Sequence, residues 1–194
     1  MASRRPRRQK RDSLVEQREL LGESGIAAAL ARMATAILER NPDGAKLVLV
    51  GIHTGGVYLA GRLQRLLASS TKLEVPLGSI DITLYRDDVF VGLPRPEVGP
   101  TKVPCSLDDR VVILVDDVLF TGRTIRSALV ELMDFGRPAA VQLAVLVDRG
   151  HRELPIHADH VGLAVETSRE QSVRVTLAEL GEPDRVVLLG RVAS

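Results

Sequence analysis

Two adjacent carboxylates, Asp116 and Asp117, close an apolar run, Val111-Val-Ile-Leu-Val115. They are followed at once by Val118-Leu119-Phe120-Thr121-Gly122-Arg123-Thr124. An acid pair repels phosphate but suits vicinal hydroxyls or a cation. A Gly flanked by hydroxyls and a cation suits the opposite charge: backbone N–H groups can approach an anion closely there, and Thr121 and Thr124 add donors. Side by side, the two halves fit a sugar phosphate, with the diol on the acids and the phosphate on the loop.

Such groups need elements that aim them. The apolar run is too short and too β-branched for a helix and predicts a buried parallel strand. After Gly122, Ile125, Leu129, Leu132 and Met133 recur at helical spacing. The pattern is strand, loop, helix, with the chemistry where the strand ends. In an open α/β sheet that end borders the ligand crevice, and a helix N-terminus there offers free N–H groups and partial positive charge.

A second unit of this kind lies upstream. Leu47-Val-Leu-Val50 predicts a buried strand, Gly51-Ile-His53-Thr54-Gly55-Gly56 a loop, and Val57, Leu59, Ala60, Leu63 and Leu66 a helix. Before it, Ser24 is expected to cap a helix with the stripe Ile26, Leu30, Met33, Ile37 and Leu38, ended by Asn41-Pro42-Asp43-Gly44. Ser79 to Tyr85 alternates like a half-covered strand and closes on Arg86-Asp87-Asp88. From Val89 to Leu107 the chain is rich in Pro and Gly without periodicity, which marks a functional or disordered loop. Val141 to Val147 predicts another buried strand, running into Asp148-Arg149-Gly150-His151-Arg152. Short strands are predicted at Val161–Val165, Val173–Leu177 and Val186–Leu189, the last two pairing at an edge.

Composition narrows the function. With 194 residues and 45% apolar content, one domain with a substantial core is expected. Aromatic residues make up 3% and Trp is absent, so no extended stacking platform for single strands is expected. A net charge of +1 speaks against general polyanion binding. Any basic surface must be local, as in Arg4, Arg5, Arg7, Arg8, Lys10 and Arg11. Residues 1–22 read as a basic, disordered arm that could tether nucleic acid. The lone Cys105 rules out an internal disulfide and fits a reducing cytoplasm. Neither a secretory signal nor a membrane span is apparent. His151, His157 and His160 invite a metal reading, but their spacing puts them on no common face and no site is assigned.

The string Asp116 to Thr124 resembles the phosphoribosyl pyrophosphate (PRPP) motif of type I phosphoribosyltransferases. In its wording, and in that of Val147 to Ile156, it is similar to the PyrR family of RNA-binding pyrimidine attenuators and uracil phosphoribosyltransferases. The resemblance covers about residues 24 to 190. It implies an α/β fold: a central, mainly parallel sheet flanked by helices, with a small hood and a mobile flap. The domain would be residues 23–194, with the flap at about 87–107. The implied reaction transfers phosphoribosyl from PRPP to uracil, giving UMP and pyrophosphate, with Mg²⁺ bound mainly through PRPP.

On that resemblance, residues 118–124 take the 5′-phosphate and Asp116 and Asp117 the ribose hydroxyls. Thr54, Gly55, Gly56 and Arg86 take pyrophosphate, and Asp148 and Arg149 lie beside the base. Asp116, Asp117 and Arg86 are the catalytic candidates. Arg32, His151 and Arg152 fall where RNA would be contacted, a pyrimidine mRNA leader being the implied partner, and a homodimer or homotetramer is expected. Two departures matter. Gly55 stands where the family carries Arg, which would weaken pyrophosphate binding. Ala27, Ala28 and Ala31 replace polar or basic positions on the first helix, leaving Arg32. The alternatives are therefore a non-catalytic, nucleotide-sensing RNA-binding attenuator and a phosphoribosyltransferase for a purine base.

Overall fold

The computed structural model describes residues 14–71, 74–82 and 101–191. Its centre is a five-stranded parallel sheet in the order β3-β2-β4-β5-β6. The strands are β2 (Leu47–Ile52), β3 (Leu77–Ile80), β4 (Val111–Leu119), β5 (Ala140–Asp148) and β6 (His160–Ala164). All neighbours run parallel. Strand alternation divides the apolar side chains between two cores. Leu47, Leu49, Ile113 and Val115 face one, shared with helices α1 (Glu23–Arg40) and α2 (Gly55–Thr71). Val48, Val50, Val112 and Leu114 face the other, shared with α3 (Arg123–Leu132). Burial on both faces is why these strands read as continuous apolar runs.

The order reverses between β2 and β4: the chain leaves β2 for β3 on one side and returns to β4 on the other. A crevice opens at the carboxyl ends of strands flanking such a reversal. Both Gly-containing loops seen in the sequence end there.

Several local expectations shift. Ser24 does not cap α1; the N-cap is Gly22, with no side-chain bond, and Ser24 lies exposed in the first turn. The arm ends sooner than residue 22, because Val15–Leu21 form strand β1. β1 pairs antiparallel with β8 (Arg185–Gly190), and Arg185 is bonded to Glu16 at 2.5 Å and Glu19 at 2.6 Å. β1 is largely exposed, so it is held by its partner strand more than by an apolar face. β8 also pairs antiparallel with β7 (Ser172–Thr176). These last strands pair as expected, but in a separate three-stranded sheet, the hood, and not at an edge of the main one.

Arg62 of α2 ties the hood down through Glu179 at 2.6 Å and both oxygens of Asp184. Of the flap, residues 101–107 are described: Lys102 bridges Ser79 on β3, and Leu107 is fully buried. The rest of it, with Arg86, lies outside the described residues, as do residues 1–13 of the arm. Among the described residues, no helix is long and apolar enough to cross a membrane.

Candidate active site

A cleft of about 340 Å³ occupies the crevice. The β2 loop contributes His53, Thr54 and Gly55; β4 and its loop contribute Asp116, Asp117, Val118 and Thr124. Ile82 closes the β3 side, and Val175 and Leu180 reach in from the hood.

The carboxylates are held by the backbone that follows them. Asp116 is 6% exposed, and its Oδ1 accepts the N–H of Asp117 at 3.0 Å. Oδ1 of Asp117 accepts the N–H of Val118 at 2.8 Å. These bonds fix the rotamers of both acids.

The anion cradle follows directly. Gly122, at φ +90°, is the N-cap of α3, a conformation that an L side chain rarely adopts. The first intrahelical bond runs from Arg126 N–H to Gly122 O at 2.9 Å. The first-turn N–H groups of α3 therefore have no intrahelical acceptor, and those of Thr124 and Ile125 suit an anion. Arg123 N–H meets Thr121 Oγ1 at 3.4 Å. The β5 loop braces the cradle from behind: Arg149 N–H donates to Leu119 O and Glu153 N–H to Thr121 O, at 3.1 and 3.0 Å.

The β2 loop is built differently. A Cβ on Gly56 would lie 2.3 Å from Val115 O, so α2 starts almost against the β4 backbone. A Cβ on Gly55 would lie 2.6 Å from Asp117 Oδ2. The absent side chain at 55 thus leaves the space into which Asp117 extends. The His53–Thr54 peptide is cis.

The residues expected beside a base or RNA make bonds within the chain. Arg149 is 5% exposed and lies 3.9 Å over the Phe120 ring. It donates to Thr167 Oγ1, Ser168 O and Gln171 O. Burial lowers its pKa from the ordinary guanidinium value. Asp148 pairs with Arg152 and accepts the Gly150 N–H. Neither Asp148 nor Arg149 belongs to the cleft lining; both hold the loop that braces the cradle. Arg152 donates to Phe120 O, Gly150 O and Ile156 O as well as to Asp148, so most of its donors are engaged inside the chain. His151 bonds Thr167 O at 2.6 Å and meets Phe120 edge-on. Only Arg32 stays largely on the surface, donating to Gly162 O on the β6 edge. The side chain of Leu119 is core, 1% exposed.

His160 is buried at the start of β6, bonded to Gln142 Oε1 at 2.9 Å, and burial lowers its pKa. Among the described residues, no group of three or more His, Cys, Asp or Glu could hold a metal ion. Reasoning from sequence missed His53, Ile82, Val175 and Leu180. His53 stood beside the Gly pair and could have been found; the hood residues carry no local signal.

This fold recurs in solved structures at low identity. Hypoxanthine phosphoribosyltransferase of Trypanosoma cruzi matches with a TM-score of 0.69 at 20% identity, covering 91% of this chain and 98% of that one. That of Staphylococcus aureus gives 0.66 at 21%, covering 89% and 92%. A doubly wound sheet with an acid pair before a helix-capping anion cradle defines a phosphoribosyltransferase, and the phosphoribosyl transferase domain family matches residues 16–179. Curated relatives called bifunctional protein PyrR come from Geobacter sp. strain M21, 52% identical over 87% of this chain and 96% of that one, and Pelotomaculum thermopropionicum, 50% over 90% and 96%. The chain belongs to the PyrR family.

Proposed function

We propose that the cleft transfers the phosphoribosyl group of PRPP to N1 of uracil, releasing pyrophosphate and giving UMP. The C1′–oxygen bond to pyrophosphate breaks, the N1–C1′ bond forms, and the N1 proton leaves. The observation that carries this reading is the buried acid pair and the α3 cradle meeting at one strand end. The diol of the ribose fits Asp116 and Asp117, and its 5′-phosphate the first turn of α3 with Thr121 and Thr124. The transition state resembles an oxocarbenium ion, so two fixed carboxylates beside the sugar stabilise the charge that develops. Val175 and Leu180 give the cleft an apolar wall on the hood side.

Thr54 and the N–H groups of Gly55 and Gly56 fit the leaving pyrophosphate, with Arg86 as the expected cation. Mg²⁺ suits the hard oxygen donors of Asp116 and Asp117. Because those two acids cannot cage it, it would travel with PRPP and neutralise pyrophosphate. Membership of the PyrR family supports uracil as the acceptor; the hypoxanthine enzymes are too distant to argue for a purine.

A regulatory role is proposed beside catalysis: the UMP-loaded protein binds a pyrimidine mRNA leader. Arg32 on the exposed face of α1 supports it, and the exposed Ala27, Ala28 and Ala31 around it imply modest affinity. Self-association into a dimer or tetramer is part of the same proposal. The deciding assay is UMP formation from labelled uracil and PRPP with Mg²⁺. Product with uracil is expected; product with purine bases alone would change the acceptor. No product with any base would leave only the regulator. For that role the expected observation is a leader-transcript shift that UMP strengthens and salt weakens.

A further inference from the structure

Leu180 ends the short 3₁₀ turn Ala178–Leu180 of the hood and lines the cleft, yet it is 44% exposed, so packing by itself fixes it weakly. Polar bonds hold the turn instead. Asp184 Oδ1 accepts the Ala178 N–H at 2.8 Å, and Leu180 N–H donates to Leu177 O at 2.9 Å. Thr176 Oγ1 closes the loop on Pro183 O at 2.6 Å. Arg62 then fastens this loop to α2. Its guanidinium donates to both oxygens of Glu179, at 2.9 and 2.6 Å, and to both oxygens of Asp184. The Arg62 and Asp184 side chains are largely enclosed, which spares their ion pair most solvent screening. Arg62 lies about two turns beyond Gly55, the residue of the same helix that lines the cleft.

Under the phosphoribosyl-transfer reading, on which this inference rests, the phosphates and the ribose take the loops and the acid pair. The apolar hood wall of Val175 and Leu180 is left for the flat face of the acceptor base. We propose that Arg62 is a positioning residue for that base: through Glu179 and Asp184 it holds Leu180 at contact distance from the ring. Arg62 itself lies outside the cleft lining and acts only through the turn. Without its charge, Glu179 and Asp184 are left repelling one another, and the turn shifts with Leu180 on it. A lysine replaces Arg62 only in part, because a point ammonium cannot bond two carboxylates in the fork geometry of a guanidinium.

The test measures UMP formation by Arg62→Ala, Arg62→Lys, Leu180→Ala and the double variant Arg62→Ala/Leu180→Ala, each well below its melting temperature. Arg62→Ala should raise KM for uracil about tenfold, the scale of one lost apolar contact in a binding pocket. KM for PRPP should stay within about twofold, and Arg62→Lys should fall between Arg62→Ala and wild type. A variant that had merely unfolded in part would lose kcat at unchanged KM. Leu180→Ala should raise KM for uracil by a similar factor. The double variant should stay near about tenfold and not reach about a hundredfold, since both changes remove the same contact. KM for uracil unchanged in Arg62→Ala, or single effects that multiply in the double variant, would overturn the assignment.

Glu179→Gln covers the case in which Arg62→Ala does not fold. It keeps the shape of the clamp and its Asp184 half, and should raise KM for uracil about threefold by weakening charge-assisted bonds. An unchanged KM there would sink the Arg62 role and leave phosphoribosyl transfer standing. A wild type that forms no product with any base, and whose Tm PRPP with Mg²⁺ does not raise, would overturn both.

Discussion

The two strand–loop–helix units that meet in the cleft solve similar problems by different means. The β4 unit holds its anion cradle with side chains and a second layer. Gly122 caps α3 in a left-handed conformation, and Arg149, Arg152 and Glu153 of the β5 loop bond to the backbone of residues 119–121. The β2 unit has almost no such bracing among the described residues. It is positioned by contact: Gly56 lets the start of α2 lie against Val115, and Gly55 leaves room for Asp117. A cradle braced by side chains tolerates change at its rim, whereas one placed by backbone contact tolerates no added atom. The braced unit should therefore fail gradually and the contact-placed unit abruptly.

Five perturbations would break or sharpen that contrast. Gly56→Ala comes first, since its Cβ would lie 2.3 Å from a carbonyl oxygen in the sheet. Strands and helix must separate, so loss of soluble fold or a penalty above about 4 kcal/mol is expected in denaturant titrations. A variant melting like wild type would refute contact placement. Asp116→Asn and Asp117→Asn should each lower kcat/KM by about 10²–10³, the scale for removing a preorganised charge, at unchanged circular dichroism.

Arg152→Ala tests the brace. Its side chain is 15% exposed and joins Asp148 to the carbonyls of Phe120, Gly150 and Ile156. A loss of roughly 2 kcal/mol is expected, below that of a fully buried pair because both partners keep some solvent. KM for PRPP should rise with it as the cradle loosens. Gly55→Arg would add a cation to the contact-placed loop, but only if Asp117 turns away from the 2.6 Å clash. KM for PRPP should fall severalfold while kcat also falls; a rise in kcat would show that Asp117 is not displaced.

The smallest effect is furthest from the cleft. Burial lowers the pKa of His160, whose Nε2–H donates to Gln142 within the Asn41–Gln142 amide pair. Its contribution to stability is complete above the unfolded value of ~6.5 and is lost as pH falls through the lower folded value. The imidazole of the unfolded chain takes up a proton there that the folded one resists. Tm should decline more steeply between pH 7 and 5 in wild type than in His160→Gln, and parallel curves would count against the linkage.

The difference between the units also explains what could be read in advance. The β4 motif was legible because its chemistry is local: strand, acids, capping glycine and helix lie within 23 consecutive residues, Val111 to Met133. Strand β1 of the hood was not, because Val15–Leu21 carries charges at nearly alternate positions and shows little apolar face. Its strand character comes from β8, over 160 residues later. The internal bonds of Arg149 and Arg152 were hidden for a similar reason. An arginine after a strand looks alike in sequence whether it meets a ligand or the carbonyls of its own chain.

The sequence alone determined the architecture and the class of chemistry. Both depend on period, residue type and near neighbours, which a linear string records in full. Tertiary structure decided where the polar groups lie: Asp116, Asp117 and His53 line the cleft, while Asp148, Arg149 and Arg152 are bonded within the loop that braces the cradle. That choice depends on carbonyls and hydroxyls brought in from distant segments, and a buried donor takes whichever acceptor the fold places within about 3 Å.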